Sequence, residues 1–75
     1  MRQAVLRIHD LSPDGVRIVV DWESMQVSDS VFIPCVNTEN ANKQIARVVR
    51  DLEWKHTTRI SVENSKLGVR IWRIA

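Results

Sequence analysis

One amphipathic helix is written into this chain, and no second one. Ala41, Ile45, Val48, Val49 and Leu52 fall at helical spacing and make a single apolar stripe. Asn37 or Thr38 supplies a cap at its start, Glu39 lies in the first turn, and the periodicity runs to about Trp54. A lone helix covers one side of whatever it packs against. The remaining elements must then form a sheet with one covered face and one open face.

The flanking segments have the two-residue period of strands. Gln3 to His9 alternates Ala4, Leu6 and Ile8 against Val5, Arg7 and His9. Ser12-Pro13-Asp14-Gly15 has the residues of a tight turn: proline presets φ, and glycine accepts positive φ. Val16 to Trp22 returns as a second strand, with Val16, Ile18, Val20 and Trp22 on one face. Glu23 to Ser30 is polar and reads as a loop. Val31 to Val36 is a third strand, which Pro34 places at an edge or a strand end. After the helix come Thr57 to Glu63, a turn at Asn64-Ser65-Lys66, and Leu67 to Ile74. The expected order is β-β-β-α-β-β. The class is α+β, a single two-layer domain over residues 1–75, with a mostly antiparallel sheet and one helix packed on one face.

Size limits what such a domain can afford. A chain of 75 residues buries only about 60% of its unfolded surface, so each large apolar side chain counts. Homodimerisation is one way to enlarge so small a core. A hydrophobic content of 44% with 27% charged residues argues against disorder. The single cysteine, Cys35, excludes an internal disulfide, and no apolar stretch reaches membrane-spanning length. The reading is a cytoplasmic protein with no membrane partner.

The chain is poor in catalytic chemistry. His9 and His56 are far apart in sequence, and no HExxH, GxSxG or phosphate-loop pattern occurs. Cys35 reads as a small buried apolar residue rather than a nucleophile. One cysteine and two isolated histidines do not make a metal-binding spacing. The expectation is a non-enzyme with no cofactor and no metal.

The cations are more informative. Net charge is only +2, so their placement matters more than their number. Lys43, Arg47 and Arg50 lie at i, i+4 and i+7 on the helix side opposite the apolar stripe. They form either a solvated face or an electrostatic contact. Trp54 either extends that row or folds back onto the core. Strand alternation places Arg7, Arg17, Arg59 and Arg70 together with Trp72 on the open sheet face, if Leu67, Val69 and Ile71 face the helix. Arg73 falls on the opposite parity at the strand end. Guanidinium groups bind phosphates and an indole stacks on a base, which suits nucleic acid. Asp21 and Glu63 dilute that surface. The other reading pairs these arginines with acids across strands and packs Trp72 and Ile74 in a dimer or small second core.

Two stretches carry a family resemblance: Ser28-Asp29-Ser30-Val31-Phe32-Ile33-Pro34 and Gly68-Val69-Arg70-Ile71-Trp72-Arg73. In this order and spacing the chain resembles a set of small tailed-phage proteins with a GxSFFVP-like segment, a helix, a cationic strand and a closing GxRVWR-like strand. The match spans roughly Met25 to Ile74. Ser28 stands where that family often has glycine. The resemblance implies a phage or prophage origin and action in the host cytoplasm, and brings no catalytic residue with it.

Two functions follow as expectations. The first is a nucleic-acid-binding module, with Arg59, Arg70 and Arg73 on phosphates, Trp72 stacking, and Lys43, Arg47 and Arg50 as a second contact. The second is a protein-binding module that modulates or inhibits a host factor through Trp72, Ile74 and Phe32, with arginines at the rim.

Overall fold

The computed structural model describes residues 9–75. The expected strand from Gln3 to His9, apart from His9 itself, lies outside the described residues, as does Arg7. The described elements run β1 (Ser30–Pro34), α1 (Thr38–Leu52), β2 (His56–Glu63) and β3 (Lys66–Arg73). A single 3₁₀ turn, Trp22–Ser24, precedes them. The strands form an antiparallel sheet in the order β1-β3-β2, with α1 between β1 and β2 in sequence. The class is α+β.

β3 is the central strand, and its alternation sets both faces. Val69 and Ile71 are fully buried toward α1 and register with Ile33 and Val31 of β1 and with Ile60 and Thr58 of β2. Against them α1 lays Ala41, Ile45, Val48 and Val49, all buried. The helix starts because the Asn37 side chain accepts the Asn40 N–H at 2.9 Å, satisfying one of the first-turn donors. It stops at Leu52 because Glu53 turns left-handed at φ 60°, and the Trp54 N–H returns to the Val49 carbonyl. Trp54 therefore leaves the helical row. Its ring meets buried Trp22 edge-on, with centroids 6.1 Å apart.

β2 and β3 form a hairpin around Asn64 and Ser65, both at positive φ (51° and 63°). That is the backbone of a primed two-residue turn, whose twist matches the strands it joins.

One expected strand is corrected. Val16 to Trp22 does not enter the sheet among the described residues. Its one ladder feature among the described residues is an isolated bridge between Leu11 and Ile18, with N–H to carbonyl distances of 2.9 and 2.6 Å. The expected turn at Ser12–Gly15 closes, with Gly15 at φ 88° and its N–H on the Ser12 carbonyl. Beyond Ile18 burial alternates as a strand would, Val20 and Trp22 inward and Val19 and Asp21 outward. The indole decides the rest: Trp22 Nε1–H donates to the His9 carbonyl at 2.8 Å while the ring enters the core. That anchor turns the chain into the 3₁₀ segment rather than along β1. The order of described elements is thus β-α-β-β.

Asp14 ties this N-terminal turn to the helix. Its carboxylate accepts the N–H groups of Val36 and Asn37, both at 2.8 Å. Those two hydrogen bonds hold its carboxyl below the ordinary carboxylate range.

Candidate nucleic-acid interface

The sheet face away from α1 is built by the opposite parity. β1 contributes Ser30, Phe32 and Pro34; β3 contributes Gly68, Arg70 and Trp72; β2 contributes Thr57, Arg59, Ser61 and Glu63. No described element covers it. Trp72 faces this side, as the alternation predicts, and is half-buried among its neighbours.

Gly68 gives the face its shape. A Cβ built there would come within 2.3 Å of the Ile33 carbonyl and 2.6 Å of Phe32 Cζ. The absence of a side chain lets the Phe32 ring lie across β3 at this position. Arg70, two residues along, then brings its guanidinium carbon 5.8 Å from the Phe32 ring centre.

Arg70 is held on three sides. Its Nε and Nη2 donate to Glu63 Oε2 and Oε1 at 2.7 and 2.6 Å, and its Nη1 donates to Ser30 Oγ at 2.7 Å. Ser61 Oγ donates to the same carboxylate at 3.0 Å. The Arg70 hydrogen bonds hold the Glu63 carboxyl below its ordinary range, and in return push Arg70 further up. Of the two readings open from the sequence, pairing across strands is therefore the one Arg70 adopts. Three of its five N–H donors go to Glu63 and Ser30, which fixes the guanidinium plane beside the Phe32 ring and leaves one N–H on each terminal nitrogen.

Two exposed cations lie on this face: Arg59 of β2, and Lys66 at the hairpin end of β3, opposite Glu63. Arg59 is the one at its centre. It stands directly opposite Arg70 in the ladder and makes no ion pair among the described residues.

The other expected contacts lie elsewhere. Arg17 is corrected: with its segment outside the sheet, it sits near the turn and faces Asp10, Nε to Oδ2 3.6 Å. The patch of Arg7, Arg17, Arg59 and Arg70 is thus reduced, among the described residues, to Arg59 and Arg70. Arg73 keeps its opposite parity but does not project past the helix into solvent. Its guanidinium lies 4.2 Å from the Trp54 ring centre, and its Nη1 donates to the Met25 carbonyl at 2.8 Å. It clamps the aromatic corner to the loop. Lys43, Arg47 and Arg50 are exposed on the helix, as expected, but α1 and the open sheet face are opposite sides of the domain. They form a separate surface.

Cys35 is buried, and burial together with the nearby negative Asp14 pushes its thiol up, away from the thiolate form. His56 faces the helix side opposite Arg73, and burial lowers its pKa. The described residues contain no cluster of His, Cys, Asp and Glu that could hold a metal ion, and no helix long and apolar enough to cross a membrane.

Sequence reasoning placed Glu63 on this face and Phe32 with Trp72 in the protein-binding alternative, but missed Gly68 and Ser30 and the contacts that join all four to Arg70. Their parity was visible. Their adjacency depends on β3 lying between β1 and β2, which no local pattern encodes. No protein-family model, curated protein or solved structure matches the chain.

Proposed function

We propose that this domain is a non-enzymatic module that binds single-stranded nucleic acid on its open sheet face. One observation carries the reading: Phe32 and Trp72 lie on one sheet face that no described element covers, next to the immobilised cation Arg70, with exposed Arg59 beside it.

Bases stack on aromatic rings whatever their sequence, and a sheet offers them a flat, rigid platform. Successive outward positions on one strand repeat at about 6.7 Å. A single strand with its bases splayed can meet Trp72 and Phe32 in turn while its backbone passes Arg59. A duplex, whose bases are stacked on one another, has no base to give to the rings. Arg70, with three of its donors held internally, stiffens the platform and adds positive field, and its two remaining N–H groups are the ones left for a phosphate. The reading joins the tailed-phage resemblance in placing this activity in the host cytoplasm.

Anisotropy titration of labelled oligonucleotides at low salt tests it. Single-stranded DNA or RNA binds at micromolar protein, duplex binds more weakly, and affinity falls with salt by about 0.7 log units per log unit of salt for each phosphate contact. Arg59→Ala reduces that slope by about one contact. Absence of binding at micromolar protein removes the reading. Capture of one nuclease-resistant host protein through the same face favours the modulator of a host factor instead.

A further inference from the structure

We infer that two copies of this chain associate through the edge of β2 that no described residue pairs, antiparallel about a twofold axis at Ser61, making one continuous sheet from two domains.

β2 is an edge strand: β3 pairs with it on one side, and no described residue pairs with it on the other. It is eight residues long and regular, its register to β3 running unbroken from His56 to Glu63. Soluble proteins blunt such edges with proline, bulges, charged side chains, lysine above all, or an inward-pointing charge. β2 has no proline, bulge, lysine or inward-pointing charge, and its two charges, Arg59 and Glu63, lie on the open face and are of opposite sign. On its helix-facing side it instead presents Ile60 and Val62, 56% and 67% exposed, beside Leu67 of β3 at 40%. α1 does not reach this end of the hairpin.

The ladder says which backbone groups are free. A two-residue hairpin loop closes on a hydrogen-bonded pair, here Glu63 with Lys66. Hydrogen-bonded and non-bonded pairs then alternate, so the N–H and carbonyl groups of Thr58, Ile60 and Val62 point to the open edge. A second β2 must dock on these, keeping its apolar face on the same side.

Among the registers that satisfy both conditions, charge selects one. A twofold axis between two Arg59 residues opposes like charges. An axis at Ile60 places Arg59 opposite Ser61 and Thr57 opposite Glu63. An axis at Ser61 places each Arg59 opposite the partner's Glu63 and each Ile60 opposite the partner's Val62. Ionic pairs then line the open face and apolar pairs the helix-facing side. Within one chain Arg59 faces Arg70 across the ladder, an arrangement that disfavours both. A carboxylate accepts from several donors, so the partner's Glu63 can hold its own Arg70 and receive Arg59 as well. The self-complementarity of one strand, in both charge and hydrophobicity, commits the edge to a second copy rather than a foreign peptide.

This inference does not depend on ligand binding and is tested without nucleic acid; in the dimer Arg59, with its five donors, is shared between the partner's Glu63 and any bound phosphate. Sedimentation equilibrium of the full chain is expected to give the mass of a dimer at about 100 µM. Ser61→Cys is expected to oxidise to a covalent dimer, because non-hydrogen-bonded antiparallel partners lie about 4.5 Å apart at Cα, within disulfide range. Thr57→Cys, on the same face, is expected not to. Ile60→Lys is expected to weaken association at least about tenfold while leaving the far-ultraviolet dichroism unchanged, since that side chain is exposed in the single chain. A wild-type monomer at that concentration, a dimer indifferent to Ile60→Lys, or cross-linking as efficient at Thr57 as at Ser61 each overturns it.

Discussion

Gly68→Ala is a single-methyl change whose effect can be worked from distances. The new Cβ would meet the Ile33 carbonyl oxygen at 2.3 Å and Phe32 Cζ and Cε1 at 2.6 and 2.9 Å. The ring can rotate away. The carbonyl cannot, because it is backbone of the adjacent strand. β1 must then separate from β3 by most of an ångström at the Pro34–Gly68 pair. Overpacking of this kind costs about 1–3 kcal/mol. A strained ladder hydrogen bond adds about 0.5–1.5 kcal/mol. Against this, alanine restricts the unfolded chain and returns about 0.4–1 kcal/mol. The net loss is about 0.5–4 kcal/mol, which at roughly 4–8 °C per kcal/mol for a domain this size is a measurable drop in Tm. Differential scanning calorimetry measures it. Adding Phe32→Ala removes the ring contact but leaves the carbonyl, so the double variant should recover only part of the loss beyond the cost of Phe32→Ala alone. A Gly68→Ala protein as stable as wild type would mean that β1 and β3 are not packed as described, and the platform with them.

Other expectations follow from the same contacts. Ile45 is fully buried between helix and sheet, so Ile45→Asp should cost several kcal/mol, about the whole stability of so small a domain, and leave an unfolded dichroism spectrum. Ser28 holds φ 79° and its N–H meets the Arg73 carbonyl at 2.7 Å. Ser28→Gly should relieve about 1–2 kcal/mol of left-handed strain, less about 0.5–1 kcal/mol of glycine entropy, and raise Tm; a lower Tm would refute the strain. Asp14, Glu63 and His56 all have lowered pKa values in the folded chain. For the carboxylates, stability is present above their unfolded values and lost as pH falls through their folded ones. For His56, the buried imidazole resists protonation, so stability falls as pH drops below about 6.5. Urea unfolding from pH 8 to pH 3 should therefore weaken steadily, and Asp14→Ala should lower stability at pH 7 while flattening the acid limb; maximal stability at acid pH would contradict this.

The parts of the fold that depend on local chemistry were legible. The stripe from Ala41 to Leu52 marked α1, Asn37 or Thr38 its cap (Asn37 in the structure), and the alternation from Leu67 to Trp72 both faces of β3. Trp54 was open between two fates, and its neighbours Trp22 and Arg73, distant in sequence, decided for the core. Val16 to Trp22 shows the limit of alternation. It identifies the side chains that point inward, but not whether the backbone finds a ladder partner, and here an indole N–H bonded to the His9 carbonyl took the chain elsewhere. Arg17 left the candidate site for that reason. Arg70 and Glu63, seven residues apart on paired strands, meet because Gly68 and Ser61 between them leave the surface low enough for the two side chains to cross. Strand order, which no single segment encodes, put Phe32 beside them.

The claim that Trp72 is a binding residue rather than a core residue is tested most directly by Trp72→Ala read in two assays on one preparation. Equilibrium titration with a single-stranded oligonucleotide at low salt should show a loss of about 1–3 kcal/mol in binding. Denaturant unfolding of the same sample should show the smaller change of a half-exposed side chain. Loss of about 3–5 kcal/mol of folding stability, the cost of emptying a core site, with oligonucleotide affinity unchanged in the protein that remains folded, would contradict the account.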